Sequence, residues 1–438
     1  AGPPWQRREG PPRGGQQSAA PGESRPAPRP GLAARLAEVD EVEVTVEKLV
    51  AGGDCLARFE GIPLFIPRAA PGDRLRVRLV ERRPDYGRAE IVEILSPGPG
   101  RRQAPCPYFT RCGGCDLQHL EDELQTRLKA EATLETLARL GGIAPPESLE
   151  VLTGAYWDYR LRTQLHTRRT GETVGEGGAG RQGRGPGLEV GYFERGSHEL
   201  VPVAACPILV PELETLLPSL PARLAERAPR RLDLAAGDDG VSTAPVIEGL
   251  PHGEVSVALG DFTYAYDARC FFQAHRELTA RLAERAVGDW EGGEAFDLFA
   301  GVGLFSLPLA RRYRLVVAVE GDAIAARYAR RNARTNGLDN VEVEHQAVQT
   351  WIDHLPEDAD RVLIDPPRGG LPRKVRDLLH ERAPKRLTYV SCHAATLARD
   401  LRALTDRYHL EALTLLDMFP QSGHMEVIAQ LALKPPAG

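Results

Sequence analysis

The sequence contains no run of 18 apolar residues, so no segment is long and apolar enough to cross a bilayer as a helix. Its first forty residues also lack the apolar stretch of a secretory signal peptide, so we expect a cytoplasmic protein with no membrane partner. Cysteine is scarce and odd in number, with seven residues among 438. In a reducing compartment, such cysteines favour metal ligation or catalysis over a disulfide framework.

The composition is that of a globular chain, with 42% hydrophobic and 26% charged residues. A length of 438 residues predicts about three domains. The net charge is −6, yet residues 1–36 and 68–88 each carry a balance of +4. Both segments could face phosphates, or they could simply be surfaces of an arginine-rich protein. Residues 1–38 hold few large apolar side chains and are predicted to be a disordered basic tail.

Residues 39–97 carry the pattern of a small β-barrel. The alternation EVEVTVEKL predicts a first strand from Glu41, and four further short strands are predicted between Gly- and Pro-containing turns, at 54–60, 62–67, 74–81 and 87–94. Small barrels of this kind commonly bind oligonucleotides. The segment resembles the TRAM domain, an OB-like RNA-binding module. The stretches that carry this resemblance are VEKLVAGGDCLAR, IPLFIPRAAPGDRLRVRL and YGRAEIVEIL.

A cysteine cluster follows, with the spacing C-x5-C-x2-C at Cys106, Cys112 and Cys115 and a possible fourth ligand at Cys206. Thiolates so spaced can face one inorganic centre, and the spacing alone does not separate zinc from an iron–sulfur cluster. Unrelated buried thiols are the alternative. The radical S-adenosylmethionine spacing, C-x3-C-x2-C, is absent. An apolar pattern of helical spacing then predicts a long helix at about 118–140.

From residue 278 the pattern alternates between helix and strand, which is typical of a parallel sheet with helices on both faces. Seven strands are predicted, at 295–299, 315–320, 341–345, 362–365, 387–391, 412–418 and 426–433. This pattern predicts a Rossmann-like, seven-stranded methyltransferase domain.

A glycine turn follows the first of these strands, in Asp297-Leu-Phe-Ala-Gly301-Val-Gly303. Glycines there allow a sharp turn and a close approach to a ligand, and Glu320, at the end of the next strand, could accept hydrogen bonds from a ribose. A structural turn is the alternative. The full dinucleotide fingerprint G-x-G-x-x-G is absent, which favours S-adenosylmethionine over NAD.

Two further strands end in reactive groups. One ends in Asp365-Pro-Pro-Arg368, and since no aromatic residue follows the prolines, an amino-methylating adenine enzyme is disfavoured. The other ends at Cys392, a candidate nucleophile for C6 of a pyrimidine, because thiolate addition there makes C5 able to accept a methyl group. Glu426 begins the last strand and could remove the C5 proton. The alternative to a nucleophilic role is that Cys392 serves only as a small, buried, apolar side chain.

Together these residues carry a family resemblance. The sequence resembles the RNA uracil-5-methyltransferases that use S-adenosylmethionine and modify 23S rRNA or the tRNA T-loop. The resemblance lies in C-x5-C-x2-C, FFQAH, DLFAGVGLFSLPLA, LIDPPRGG, VSCHAATLARDL and DMFPQSGHMEV. The resemblance implies a [4Fe-4S] cluster, taken to be structural, and assigns roles to ten residues. It implies that Cys392 is the nucleophile, that Glu426 is the proton acceptor, that the cofactor contacts are Gln273, Phe299, Glu320 and Asp365, and that the cluster ligands are Cys106, Cys112, Cys115 and Cys206.

The expected organisation is therefore multidomain α/β. It comprises the tail at 1–38, the TRAM barrel at 39–97, a central α+β iron–sulfur domain at 98–265 whose helix could pack on the catalytic domain, and the Rossmann-like methyltransferase domain at 266–438. No obligate protein partner is inferred.

In the family that the sequence resembles, a TRAM-type barrel is typical of the rRNA-directed bacterial enzymes, so the resemblance implies 23S rRNA as the substrate, with tRNA as the alternative. In either RNA the target uridine must leave its stack, and Tyr108, Phe109 and Phe271 are candidates to stack on displaced bases, or else are core residues.

Three positions depart from the family pattern, at His275, Leu304 and His393. They motivate a competing hypothesis from another class, namely a non-catalytic RNA-binding or ribosome-assembly protein that retains the fold.

Overall fold

The structure is a computed structural model that describes residues 39–170, 187–224 and 227–435. The tail predicted at 1–38 lies outside the described residues. No helix among those described combines the length and hydropathy that a membrane crossing requires.

The N-terminal strands close into a barrel, as predicted. Strands β1 (Glu41–Leu49), β2 (Asp54–Phe59), β3 (Ile62–Pro67), β4 (Arg74–Arg82) and β5 (Gly87–Ser96) are hydrogen-bonded in the order β1-β2-β3-β5-β4. Alternate residues of β1, Val42, Val44 and Val46, point into the core, and the intervening glutamates and threonine face solvent. The period of two in the sequence therefore sets which face of the barrel is apolar.

The central segment contributes a helix and a five-stranded sheet. Helix α1 (Asp122–Thr136) continues into a π-helical turn, Leu137–Gly141. The sheet has the order β11-β10-β7-β8-β9, with β7 (Arg162–Arg169), β8 (Leu188–Phe193), β9 (Leu200–Pro202), β10 (Arg231–Ala236) and β11 (Val241–Ala244). Short helices α2 (Pro211–Glu214) and α3 (Leu220–Leu224) lie between β9 and β10, and β12 (Val255–Leu259) pairs with β13 (Phe262–Tyr266).

The C-terminal segment is built on one large sheet with the order β16-β15-β14-β17-β18-β20-β19-β6. Its strands are β6 (Ser148–Leu152), β14 (Gly292–Leu298), β15 (Tyr313–Glu320), β16 (Val341–His345), β17 (Arg361–Ile364), β18 (Arg386–Ser391), β19 (Tyr408–Leu416) and β20 (Glu426–Leu433). Strand β20 runs antiparallel to both of its neighbours, and the other pairings are parallel.

The predicted count of seven strands is wrong, because this sheet has eight. All seven predicted strands are present, and β6 from the central segment adds to β19 in parallel, with Ala412 opposite Ser148 and Leu416 opposite Leu152. Without β6, the hydrogen-bonding groups of β19 would form an open sheet edge. The sequence of β6, SLEVL, is short and mostly exposed, so its own pattern does not indicate where it pairs.

Helices cover both faces of the sheet. They are α4 (Leu278–Val287), α5 (Ser306–Ala310), α6 (Ala323–Thr335), α7 (Val348–Trp351), α8 (Arg373–Arg382) and α9 (Ala394–Arg402). Residues of α4, α5 and α6 share one apolar core with the β12–β13 hairpin. Residues of α7, α8 and α9 share the other with Ala130 of α1 and Leu137, so the central helix packs on the large C-terminal sheet.

Candidate active site

Five predicted site residues meet at one edge of the sheet. The parallel strands β14, β15, β17 and β18 end beside Phe299, Glu320, Asp365 and Cys392, and the antiparallel β20 begins at Glu426 on the same edge. Between β14 and β17 the chain changes the direction in which it adds strands, because β15 and β16 lie on one side of β14 and β17 on the other. Ligands of open α/β sheets bind at such a switch point.

The glycine turn and Glu320 hold each other in place. Phe299 and the two glycines have positive φ angles, 66° at Phe299, 56° at Gly301 and 92° at Gly303. The Glu320 carboxylate accepts a hydrogen bond from Gly301 N at 2.7 Å and one from Asp322 N at 2.6 Å. The two glycines adopt these angles without strain, and their lack of side chains allows a ligand to approach the backbone closely.

Asp297 is a site residue to which the sequence argument gave no role beyond the motif. It is fully buried, and Ser306 Oγ donates a hydrogen bond to its Oδ2. Its Oδ1 has no hydrogen-bond partner within the described part of the chain. Burial, with a smaller contribution from the nearby Glu320, raises the pKa of Asp297 to about 7. An unpartnered buried oxygen under the glycine turn fits a polar ligand there.

Cys392 and Glu426 lie next to each other across neighbouring strands. Ser391 pairs with Val427, which places Cys392 and Glu426 together at the sheet edge. Burial raises the pKa of the Cys392 thiol to about 11, and Glu426 contributes to the rise. The Glu426 side chain is 3% exposed, and burial together with Asp365 holds its pKa well above the usual range. A carboxyl with a raised pKa beside a thiol is suited to proton transfer.

Asp365 links the Cys392–Glu426 pair to the glycine turn. Gln273 Nε2 donates to Asp365 Oδ2 at 3.2 Å, which brings together two of the four predicted cofactor contacts. Burial, with Asp297 as the next contribution, raises the pKa of Asp365 to about 7. Asp365 also raises the pKa of both Cys392 and Glu426, so its carboxyl lies within electrostatic reach of both halves of the site.

Arg368 is the positive charge of the site, and sequence reasoning gave it no role. Its guanidinium lowers the pKa of Cys392, opposing the effect of burial, and it does the same for Glu426. Its backbone carbonyl accepts a hydrogen bond from Thr396 Oγ1 of α9 at 3.2 Å. The D-P-P-R motif marked this position, but only the fold brings the side chain to the thiol.

The three departures from the family pattern have structural roles in this chain. Leu304 is buried in the core beneath the sheet. His275 is fully buried and stacks on Tyr159. Its Nε2 is hydrogen-bonded to Ala155 O, and its Nδ1 accepts the Leu278 N–H. Burial lowers the pKa of His275 to about 4. His393 precedes α9 and accepts the Thr396 N–H on Nδ1 at 3.3 Å, as an N-cap.

The four predicted ligand cysteines lie together and form no disulfide. Electrostatic interactions link Cys112 to Cys106, Cys115 and Cys206, and Cys115 to Cys206. Burial raises the thiol pKa to about 12 at Cys115 and to about 11 at Cys206. Nevertheless, in the described ranges no three His, Cys, Asp or Glu side chains are arranged to hold a single metal ion. The structure therefore gathers the cysteines without placing them as ligands of one ion.

Of the three aromatic side chains considered for base stacking, Phe271 is exposed. It is 66% exposed, lies two residues before Gln273, and has the Arg162 guanidinium 5.7 Å from its ring centroid. Phe109 is buried beside His119, and the Tyr108 hydroxyl accepts the Ala204 N–H at 3.2 Å. Phe109 is thus a core residue.

The arginine-rich barrel surface is paired with acidic side chains. Six of the seven arginines between 68 and 88 form ion pairs with carboxylates, namely Arg74 with Glu43, Arg76 with Glu93, Arg78 with Glu41, Arg82 with Asp40, Arg83 with Glu81 and Arg88 with Asp54. Pairs of this kind at the surface contribute little to stability, because solvent screens the charges. The local excess of +4 in the sequence is therefore offset across the strands.

Comparison with known proteins defines the class. A family model described as tRNA (uracil-5-)-methyltransferase matches residues 252–433, and a TRAM domain model matches residues 35–92. A solved structure, a Pyrococcus abyssi tRNA (uracil-54, C5)-methyltransferase in complex with S-adenosyl-L-homocysteine, superposes with a TM-score of 0.67 at 22% identity over 89% of this chain and 100% of its own. The fold is that of a methyltransferase.

Curated relatives define the family. The 23S rRNA (uracil(1939)-C(5))-methyltransferase RlmD of Pectobacterium atrosepticum is 35% identical over 430 residues, covering 88% of this chain and 92% of the relative. The protein of the same name from Cronobacter sakazakii is 33% identical, covering 90% and 97%. The chain belongs to the S-adenosylmethionine-dependent RNA uracil-5-methyltransferase family.

Proposed function

We propose that the protein transfers a methyl group from S-adenosylmethionine to C5 of a uridine in 23S rRNA through a covalent adduct between Cys392 and C6. The observation that carries the proposal is the meeting of Cys392, Glu426 and Asp365 at the edge of the sheet where the glycine turn also lies.

The first step is addition of the Cys392 thiolate to C6 of the uracil. The sulfur lone pair forms the S–C6 bond, and the electrons of the C5=C6 bond move toward the C4 carbonyl as an enolate, which makes C5 nucleophilic. Arg368 favours the thiolate because its positive charge lowers the pKa of Cys392, opposing the effect of burial. C5 would then form a bond to the methyl carbon, and the methyl–sulfur bond of the cofactor would break with its electron pair remaining on sulfur, which leaves S-adenosylhomocysteine.

The last step is elimination. Glu426, as carboxylate, removes the proton from C5, the electrons of the C5–H bond restore the C5=C6 bond, and the C6–S bond breaks with its electron pair on sulfur. This regenerates the Cys392 thiolate and releases 5-methyluridine. Glu426 is suited to the step because it is buried, with a raised pKa, beside the sulfur that leaves.

The cofactor would lie over the glycine turn. Glu320 would accept hydrogen bonds from its ribose, Phe299 and Gln273 would line the crevice, and Asp365 would lie between cofactor and uracil. The unpartnered Oδ1 of Asp297 and the positive φ angles of the turn fit a bound nucleoside. When bound, S-adenosylmethionine supplies an electrophilic methyl group on a sulfonium.

Support for 23S rRNA comes from the relatives. The two RlmD proteins match about nine-tenths of the chain at 33–35% identity, against 22% for the tRNA enzyme of known structure. The T-loop uridine of tRNA is the alternative substrate. In either RNA the uridine must be unstacked, and the exposed Phe271 with Arg162 could stack on a displaced base.

The direct test is incubation of anaerobically purified protein with labelled S-adenosylmethionine and unmodified 23S rRNA or tRNA, followed by nucleoside mass spectrometry. We expect 5-methyluridine in 23S rRNA alone. Product in tRNA alone would keep the mechanism and overturn the substrate. A Glu426→Gln variant should trap the methylated protein–RNA adduct as a slow band on denaturing gels, and free turnover would contradict the role of Glu426.

A [4Fe-4S] cluster on Cys106, Cys112, Cys115 and Cys206 is part of the proposal. The thiols are free, mutually close and partly or fully buried, and Arg160 lowers the pKa of Cys115 and Cys206, as a cation beside an anionic cluster would.

The cluster has its own test. Purified protein should absorb broadly near ~400 nm and bleach with reductant. A colourless protein that contains zinc would contradict it.

The competing hypothesis of a non-catalytic RNA-binding or ribosome-assembly protein loses its motivation. Leu304 and His275 are core residues and His393 caps a helix, so none of the three replaces the nucleophile or the base. If calorimetry found RNA binding without S-adenosylmethionine binding, that hypothesis would return.

A further inference from the structure

Residues 417–424 connect β19 to β20 and lead directly into Glu426. We call this segment the base loop. It is largely buried, and residues from three distant parts of the chain hold it: helix α1, the segment that follows Cys115, and the turn between barrel strands β1 and β2. These contacts serve no step of the proposed reaction directly.

Helix α1 holds the start of the base loop through a buried ion pair. Lys129 and Asp417 are paired with about 1% of each side chain exposed. Thr126 Oγ1 donates to the same carboxylate at 2.7 Å, and Lys129 Nζ donates to Phe419 O at 3.1 Å. A buried ion pair of this kind adds little net stability over apolar packing. Its role here is therefore better explained by holding the base loop in one arrangement on α1.

Gln421 is the centre of the loop's contacts. Its φ angle is 68°, and its side chain is fully buried. Gln125 Nε2 donates to Gln421 Oε1 at 2.9 Å, while Gln421 N donates to Gln125 Oε1 at 3.0 Å. Gln421 Nε2 donates to Asp122 Oδ1 at 2.8 Å. Gln125 and Asp122, both in α1, therefore hold the Gln421 side-chain amide in one orientation.

The segment after Cys115 and the barrel hold the rest. Gln421 O accepts the N–H groups of Asp116 at 2.8 Å and Leu117 at 3.0 Å, and Gly423 N donates to Asp116 Oδ2 at 3.0 Å. Gly52 N donates to Gly423 O at 3.3 Å. A Cβ on Gly423 would lie 2.3 Å from Gly53 N, so the loop and the barrel turn are in close contact.

We propose that Gln421 is a positioning residue through which the cysteine-bearing segment and α1 fix the base loop, and hence Glu426, for removal of the C5 proton. The inference rests on the proposed function. Gln421 lies five positions before the base, and Glu426 itself is 3% exposed. A loop that is released would shift this carboxylate or admit water to it, which affects elimination more than the preceding addition and methyl transfer.

The test uses Gln421→Gly in the full-length protein. Glycine accepts the positive φ without strain, so the variant deletes the side-chain hydrogen bonds while leaving the backbone ones. We expect kcat to fall about tenfold to a hundredfold, with methylated protein–RNA adduct accumulating as in Glu426→Gln, and with an unchanged single-turnover rate of methyl transfer. Gln125→Met removes the partner from α1 and should give the same result.

Gln430→Ala is the matched control. Gln430 lies on the same strand as Glu426 and donates to Arg285 O at 2.9 Å, away from the base loop, so adduct should not accumulate. Wild-type turnover by folded Gln421→Gly would overturn the inference. So would a loss of methyl transfer equal to the loss of turnover, because that would mark a merely structural role. If Glu426→Gln itself trapped no adduct, the proposed function would fail instead.

Discussion

Two glutamates at one edge of the same sheet have opposite environments. Glu320 is partly exposed and accepts two short hydrogen bonds from backbone N–H groups, at 2.6 and 2.7 Å. Glu426 is buried, faces Asp365, and has a pKa far above its usual range. Under the proposed function, the hydrogen-bond donors around Glu320 suit a ligand-binding group, and the burial that penalises the charge of Glu426 suits a proton acceptor. On that function, the edge divides into a cofactor half and a catalytic half.

The largest expected effect on one half of the edge comes from removing the nucleophile. Cys392→Ala should lower 5-methyluridine formation by at least about a thousandfold, because C5 is unreactive without the adduct. Binding of S-adenosylmethionine, measured by calorimetry, should be unchanged since the cofactor half is untouched. Cys270→Ala, at a buried thiol outside the catalytic pair, is the control. Methylation by Cys392→Ala at the wild-type rate would end the nucleophile assignment.

Removal of Glu320 should affect the other half. Glu320→Ala loses the acceptor for the ribose and the bond to Gly301 N, so we expect the Kd of S-adenosylmethionine to rise about tenfold, the cost of a charged hydrogen bond. No covalent adduct should accumulate, in contrast to Glu426→Gln. Glu344→Ala, at an exposed position of the neighbouring strand, should bind the cofactor normally. If the Glu320→Ala variant accumulated the covalent adduct, the assignment of Glu320 to cofactor binding alone would be contradicted.

The pH dependence should report the catalytic half. Since the carboxyl pKa of Glu426 is raised, its basic form increases with pH, and the elimination rate should rise about tenfold per pH unit below that pKa. Arg368→Leu removes the charge that lowers the pKa of both Glu426 and Cys392, so the profile should move to higher pH. Single-turnover kinetics measure this, with exposed Arg373→Leu as control. A profile that moves to lower pH would contradict the assignment.

The smallest expected effect is on stability, at Asp297. Its folded pKa, about 7, lies above the unfolded value, so the buried charge costs stability as pH rises from about 4 to 7 and keeps that cost above 7. Asp297→Asn should therefore be more stable than wild type at pH 8, by on the order of 2 kcal/mol, and close to it at pH 4. Urea unfolding at both pH values tests this. An equal difference at both would show that the charge is not the cause.

Local sequence patterns determined much of this protein. The alternation of β1, the glycine turn before Glu320, and the cysteine at the end of β18 are short-range signals, because strand periodicity and turn chemistry depend on residues a few positions apart. They predicted the barrel, the parallel sheet and the residues of its edge. They also predicted seven strands, since β6 is too short to show where it pairs.

Only the tertiary structure decided how these parts meet. The antiparallel direction of β20 brings Glu426 to Cys392, and residues nearly three hundred positions apart in sequence pair as Lys129–Asp417 and Gln125–Gln421. The raised pKa values of Asp297, Asp365 and Glu426 follow from burial first and then from one neighbouring carboxylate each, namely Glu320, Asp297 and Asp365 respectively. Burial and long-range contacts depend on the whole packed chain, so no local pattern contains them.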